Sequence, residues 1–86
     1  MDELTYTELK DFEQAESNAK SAYEKAVGMK YRWAEVDAAD LLGEIFSVRG
    51  DKAKGREWLK KAVECRKEIL DPKVKETEEK LRKIKD

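Results

Sequence analysis

The sequence predicts an all-α fold of four antiparallel helices, packed as a helical array or bundle in a single domain over residues 1–86. Three observations carry this. Charged residues make up 45% of the chain and are rich in the helix formers Glu, Lys and Arg, while the alternation of a strand is scarce. Apolar residues recur at spacings of three and four. Gly28, Gly50 and Pro72 punctuate the chain where such runs stop. With 86 residues there is room for one domain, and a net charge of −1 does not force disorder.

The first helix is expected over about 6–27. Thr5 and Glu8 form a capping box, and Leu4 and Leu9 a hydrophobic staple across it. Its apolar face runs through Leu9, Phe12, Ala15, Ala19, Ala22 or Tyr23, and Ala26, with Gly28 as the C′ residue. The second helix, 31–49, carries Ala34, Ala38, Leu41 or Leu42, Ile45 or Phe46, and Val48, and ends at Gly50. Asp51 caps the third, 52–70, whose stripe is Gly55, Trp58 or Leu59, Ala62 or Val63, Arg66, and Ile69 or Leu70. Asp71 as N-cap and Pro72 at N1 open the fourth, 72–85, with a thin stripe of Val74, Thr77, Leu81 and Ile84. The connections are short, so successive helices must run antiparallel.

Composition removes several classes of function. The chain has no His, so a catalytic triad containing His and a His-ligated zinc site are excluded. Its single Cys65 makes no internal disulfide, lacks a His base, and reads as an inert, partly buried thiol. No Gly-rich phosphate loop and no facing pair of carboxylates is evident, so no catalytic residue, metal or cofactor is expected. No apolar run is long enough to cross a membrane, and the acidic Met1-Asp2-Glu3 start does not read as a signal peptide. A cytoplasmic location with no membrane partner is therefore expected. The Lys- and Glu-rich composition is also of the kind thermophile proteins favour.

A phrase repeats at an offset of 36 residues. Ala19-x3-Tyr23-x2-Ala26-Val27 aligns with Gly55-x3-Leu59-x2-Ala62-Val63. Small residues on either side of a bulky one let a second helix approach closely. Gly43 lies mid-helix between Leu42 and Phe46, where it costs about 1 kcal/mol against Ala. Close backbone approach offsets that cost. Gly43, Gly55, Ala19, Ala26 and Ala62 are accordingly the expected close-packing positions.

Leu42-Gly43-x2-Phe46, Gly50-Asp51 and Gly55-x3-Leu59-x2-Ala62 together resemble a tetratricopeptide repeat. The resemblance covers about residues 34–67. Ala19-x3-Tyr23-x2-Ala26 is similar to the second helix of a preceding repeat. Ala39 stands where the family usually has Trp, Gly55 where it usually has Ala, and Pro72 falls late. The resemblance implies a protein-interaction module whose second helix lines the concave side.

Trp33, Asp37, Asp40 and Glu44 fall on one face of that helix, opposite the expected buried stripe. They are the expected partner-binding residues, presenting an acidic face to a basic protein or peptide, with self-association as a second form of the same expectation. Solvation of an exposed face is the plainer reading of these residues. Tyr31 joins Trp33 as a recognition patch or as cover for the first helix, and Trp58 reads as a core rim or an interface anchor. Arg49-Gly50-Asp51 matches an adhesion tripeptide but sits where a helix turn is required. Residues 51–86 carry 13 basic and 9 acidic residues, so nucleic-acid binding by the basic C-terminal half is the alternative reading. Interleaved acids and the lack of an RNA-binding signature weigh against it.

Overall fold

The computed structural model describes the backbone of residues 6–84 and the side chains of residues 11–84. It contains α1 (Tyr6–Met29), α2 (Arg32–Val48), α3 (Lys52–Glu68) and α4 (Val74–Lys83), and no strand among the described residues. The helices follow one another in antiparallel order, and each packs chiefly on the next. The expected capping box and staple at Leu4, Thr5, Glu8 and Leu9 lie outside the described side chains.

Two clusters make the core. Ala19, Leu42, Ile45 and Phe46 close the α1–α2 side, flanked by Phe12, Ala15, Tyr23 and Trp58. Val36, Ala39, Ala62 and Cys65 close the α2–α3 side. Trp58 is a rim residue of both, edge-on to Tyr23 with ring centroids 5.0 Å apart. Lys61 lies 5.2 Å from the Trp58 ring centre and donates to the Tyr23 hydroxyl at 3.1 Å. Ala26 is buried with this core.

The α2–α3 crossing is set by glycine. A Cβ on Gly43 would lie 2.6 Å from Leu59 Cγ and 3.1 Å from the Gly55 carbonyl. A Cβ on Gly55 would strike Ser47 Oγ and come within 3.0 Å of the Gly43 carbonyl. Ser47 Oγ donates back to the Gly43 carbonyl at 2.8 Å, filling the remaining gap. The two backbones therefore meet with no room for a side chain between them.

All three interhelix turns are the same Schellman device. At the α1–α2 turn Lys30 N–H donates to Val27 O and Tyr31 N–H to Ala26 O. The pattern recurs with Gly50 and Asp51 onto Ser47 and Phe46, and with Leu70 and Asp71 onto Lys67 and Arg66. The left-handed C′ residues are Lys30 (φ 58°), Gly50 (φ 95°) and Leu70 (φ 57°). Gly28 is thus not the C′ residue of α1: that helix runs on to Met29, and Lys30 takes the turn.

Other boundaries also differ from expectation. α3 stops at Glu68, because Leu70 turns left-handed. α4 begins at Val74, two residues late, because the Asp71 carboxylate is drawn into the core and caps the Lys73 N–H at 2.9 Å. Asp51 caps α3 as expected, accepting from Lys54 N–H. Of the expected apolar stripe, Leu41, Val48 and Leu70 are exposed, while Val36 is fully buried.

Candidate functional site

The face of α2 turned toward α4 gathers the chain's polar network. Arg66, on the inner stripe of α3, is the hub. Its Nε donates to Thr77 Oγ1 at 2.9 Å, and its Nη2 to Asp40 Oδ2 at 3.1 Å and to Asp37 Oδ1 at 3.2 Å. Its Nη1 pairs with Asp71. Thr77, fully buried, donates its hydroxyl to Asp40 at 2.6 Å. Lys80 reaches over from α4 to Asp40 at 2.8 Å and to Glu44 at 3.3 Å. Among the described residues no buried side-chain polar atom lacks a partner.

The four expected partner-binding residues divide. The Asp40 side chain is only 8% exposed, against 61% for Asp37. Asp40 is therefore not part of an exposed acidic face, and this corrects the sequence expectation. A 100° step per residue puts Asp40 at the inner edge of the face, within reach of the α3 and α4 cations. Trp33 and Asp37 are exposed, and Glu44 is half-buried. Along the same arc lie two exposed apolar side chains, Val48, which the stripe count had sent inward, and Leu41, which it had offered as the alternative to the buried Leu42.

Electrostatics follow the geometry. Burial pushes the Asp40 carboxyl up, but hydrogen bonds from Lys80, Thr77 and Arg66 outweigh it and hold it below the usual carboxylate range. Asp71 behaves likewise: burial is overcome by the Lys73 N–H and the Arg66 guanidinium. Burial pulls Arg66 and Lys80 down, and their carboxylate partners more than restore them. At neutral pH the buried centre therefore holds Arg66 and Lys80 charged against the ionised Asp40 and Asp71, two of each sign.

Above the network runs an open groove of about 260 Å³ between α2 and α4, with Asp37, Leu41, Glu44, Glu76 and Lys80 on its walls and Arg66 and Thr77 at its floor. A second hollow of about 270 Å³, lined by Val48, Leu59, Lys83 and Ile84, shares Glu44 and Lys80 with it. The two form one trough along α2. Sequence reasoning missed Arg66, Asp71, Thr77 and Lys80 as one group. The available signal was Arg66 and Thr77 standing on otherwise apolar stripes, where a polar side chain needs a partner. No set of three or more metal-ligating side chains converges among the described residues. No family model, curated protein or solved structure matches the chain.

Proposed function

We propose that this chain is a non-enzymatic protein-interaction module of the tetratricopeptide kind, and that its α2–α4 trough holds an amphipathic basic peptide of a protein partner. The carrying observation is the row Trp33, Asp37, Leu41, Glu44 and Val48, whose members share an arc of about 80° on α2 at 100° per residue. Three exposed apolar side chains alternate there with two carboxylates that water reaches. Asp40 serves the fold beneath them and leaves Asp37 and Glu44 as the recognising acids. Apolar side chains in a groove supply affinity, and flanking charges select the partner. The Gly43–Gly55 crossing supports the tetratricopeptide reading, since it gives physical cause for the glycines that carry that resemblance.

The test is binding of a synthetic helical peptide with leucines at i, i+4 and i+7 and lysines beside them. Leu41→Asp is expected to weaken binding by at least about tenfold, as a desolvated apolar anchor does. Asp37→Asn with Glu44→Gln, which remove the charges without setting a cation against Arg66 or Lys80, should weaken it to a similar degree while the far-ultraviolet dichroism stays unchanged. Equal affinity of an acidic counterpart peptide would reject the charge selection.

A further inference from the structure

The trough's own cations bear on what it can hold. Asp37, Glu44 and Glu76 stand on its walls against Lys73 and Lys80, while Arg66 and Asp40 offset each other at its floor. Three carboxylates therefore face two ammoniums, a surplus of one negative charge. Both recognising acids already have a cation in the fold. Asp37 meets Arg66 Nη2 at 3.2 Å, and Glu44 meets Lys80 Nζ at 3.3 Å.

The two pairs differ in how they open. Arg66 is anchored by Thr77, Asp40 and Asp71, and Asp37 is well exposed, so a ligand cation adds to Asp37 without moving the guanidinium. Lys80 instead straddles two carboxylates. Its Nζ lies 2.8 Å from Asp40 Oδ1 and 3.3 Å from Glu44 Oε2, and 39% of its side chain is open to water. An ammonium on Glu44 is also what a lysine of the bound helix supplies. The fold thus already makes, from α4, a contact that the ligand has to make.

We propose that Lys80 is a built-in competitor at this site, a role that rests on the trough's taking a basic helix. When a ligand lysine reaches Glu44, Lys80 gives up that carboxylate and keeps Asp40. The retreat costs the fold little. The contact released is the longer of the two, and Asp40 stays bonded to Arg66 and Thr77 throughout. One ion pair is exchanged for another at Glu44, so a ligand cation gains less there than at a bare carboxylate. Lys80 thereby keeps the trough from holding every polycation tightly and leaves the apolar row to decide which basic helix stays. Asp37 and Glu44 are seven residues apart, about 10 Å along α2, and the ligand's two cations are matched to that spacing.

The experiment is titration calorimetry of the full chain and its Lys80→Met variant with the leucine–lysine helical peptide, at low and high salt. Methionine keeps the apolar stem and removes the ammonium. Lys80→Met should bind about three- to fivefold tighter at low salt, the scale of one partly exposed ion pair. Its affinity should also fall more steeply with salt than the parent's, since it gains an ion pair where the parent exchanges one. The same peptide with norleucine in place of lysine should not distinguish the two chains. Lys80→Arg, whose fork can hold both carboxylates at once, should bind no better than the parent. Equal binding of the lysine peptide by the parent and Lys80→Met overturns the competitor and leaves the peptide-binding trough standing. A matching gain for the norleucine peptide overturns it too, because the effect is then a loosened α4 and not a freed charge. Tighter binding by Lys80→Arg has the same consequence. Absence of binding by every chain overturns both the competitor and the trough as a peptide site.

Discussion

Arg66 on α3 donates to Asp40 on α2 at 3.1 Å, with both side chains almost wholly withdrawn from water. Because Thr77 and Lys80 of α4 bond the same carboxylate, this pair ties three helices at one point. The fourth helix is ten residues long, too short to persist in water alone. Its position depends on this polar junction as well as on the Val74, Leu81 and Ile84 stripe.

Replacing Arg66 by Met removes the cation and leaves two buried carboxylates facing each other. Taking one partner from a buried pair costs about 3–5 kcal/mol, a large part of the roughly 4–13 kcal/mol expected for a domain of this size. Urea denaturation should show a loss of that order. Arg66→Lys should recover only part of it, because an ammonium cannot meet Thr77, Asp71 and Asp40 together in the plane of a guanidinium.

Acid should weaken the fold through Asp40 and Asp71. Their folded pKa values lie below the unfolded one, so their stabilisation is complete above about pH 4 and is lost as pH falls through the folded values. Urea midpoints should be flat from about pH 7 to 5 and drop below about 4. Asp40→Asn should start from a lower midpoint and show a shallower acid limb. The sign is opposite for Lys80, whose raised pKa keeps its contribution until pH climbs past the usual lysine range.

At the α2–α3 crossing, Gly43→Ala sets a methyl against Leu59 and the Gly55 carbonyl. Overpacking costs about 1–3 kcal/mol, while the gain in helix propensity is about 1. Net destabilisation is expected by thermal melting. At Gly28, where a Cβ would meet nothing within 4 Å, the same substitution should stabilise.

Leu70→Gly should raise stability by about 1 kcal/mol, since a left-handed backbone costs an L-residue about that much. Lys30→Gly should act in the same direction at the α1–α2 turn. A lower melting temperature for Leu70→Gly would show that the leucine side chain stabilises the fold despite its exposure.

The helices were legible because their periodicity and the Gly50-Asp51 punctuation agree. The two other turns were misplaced because Schellman geometry was met by Lys30 and Leu70, and a sequence marks that geometry only when glycine supplies it. Gly43 and Gly55 could be read from their cost in a helix. Asp40 could not. It shares an arc with Asp37 and Glu44, and only the approach of Arg66 and Lys80 from helices 26 and 40 residues away separates the buried acid from the exposed ones. Leu41 was hidden by the same limit, since its neighbour Leu42 takes the core position, and Val48 because Ile45 and Phe46 before it already fill the core side of that turn.

The trough as a peptide-binding site is tested most directly by an NMR titration of the isotope-labelled chain with the leucine–lysine helical peptide. Saturable shifts should appear in the amides and side chains of Trp33, Asp37, Leu41, Glu44, Val48 and Lys80, with α1 unmoved. Shifts confined to α1 or to the Met29–Tyr31 turn, or no shifts at all, would contradict it.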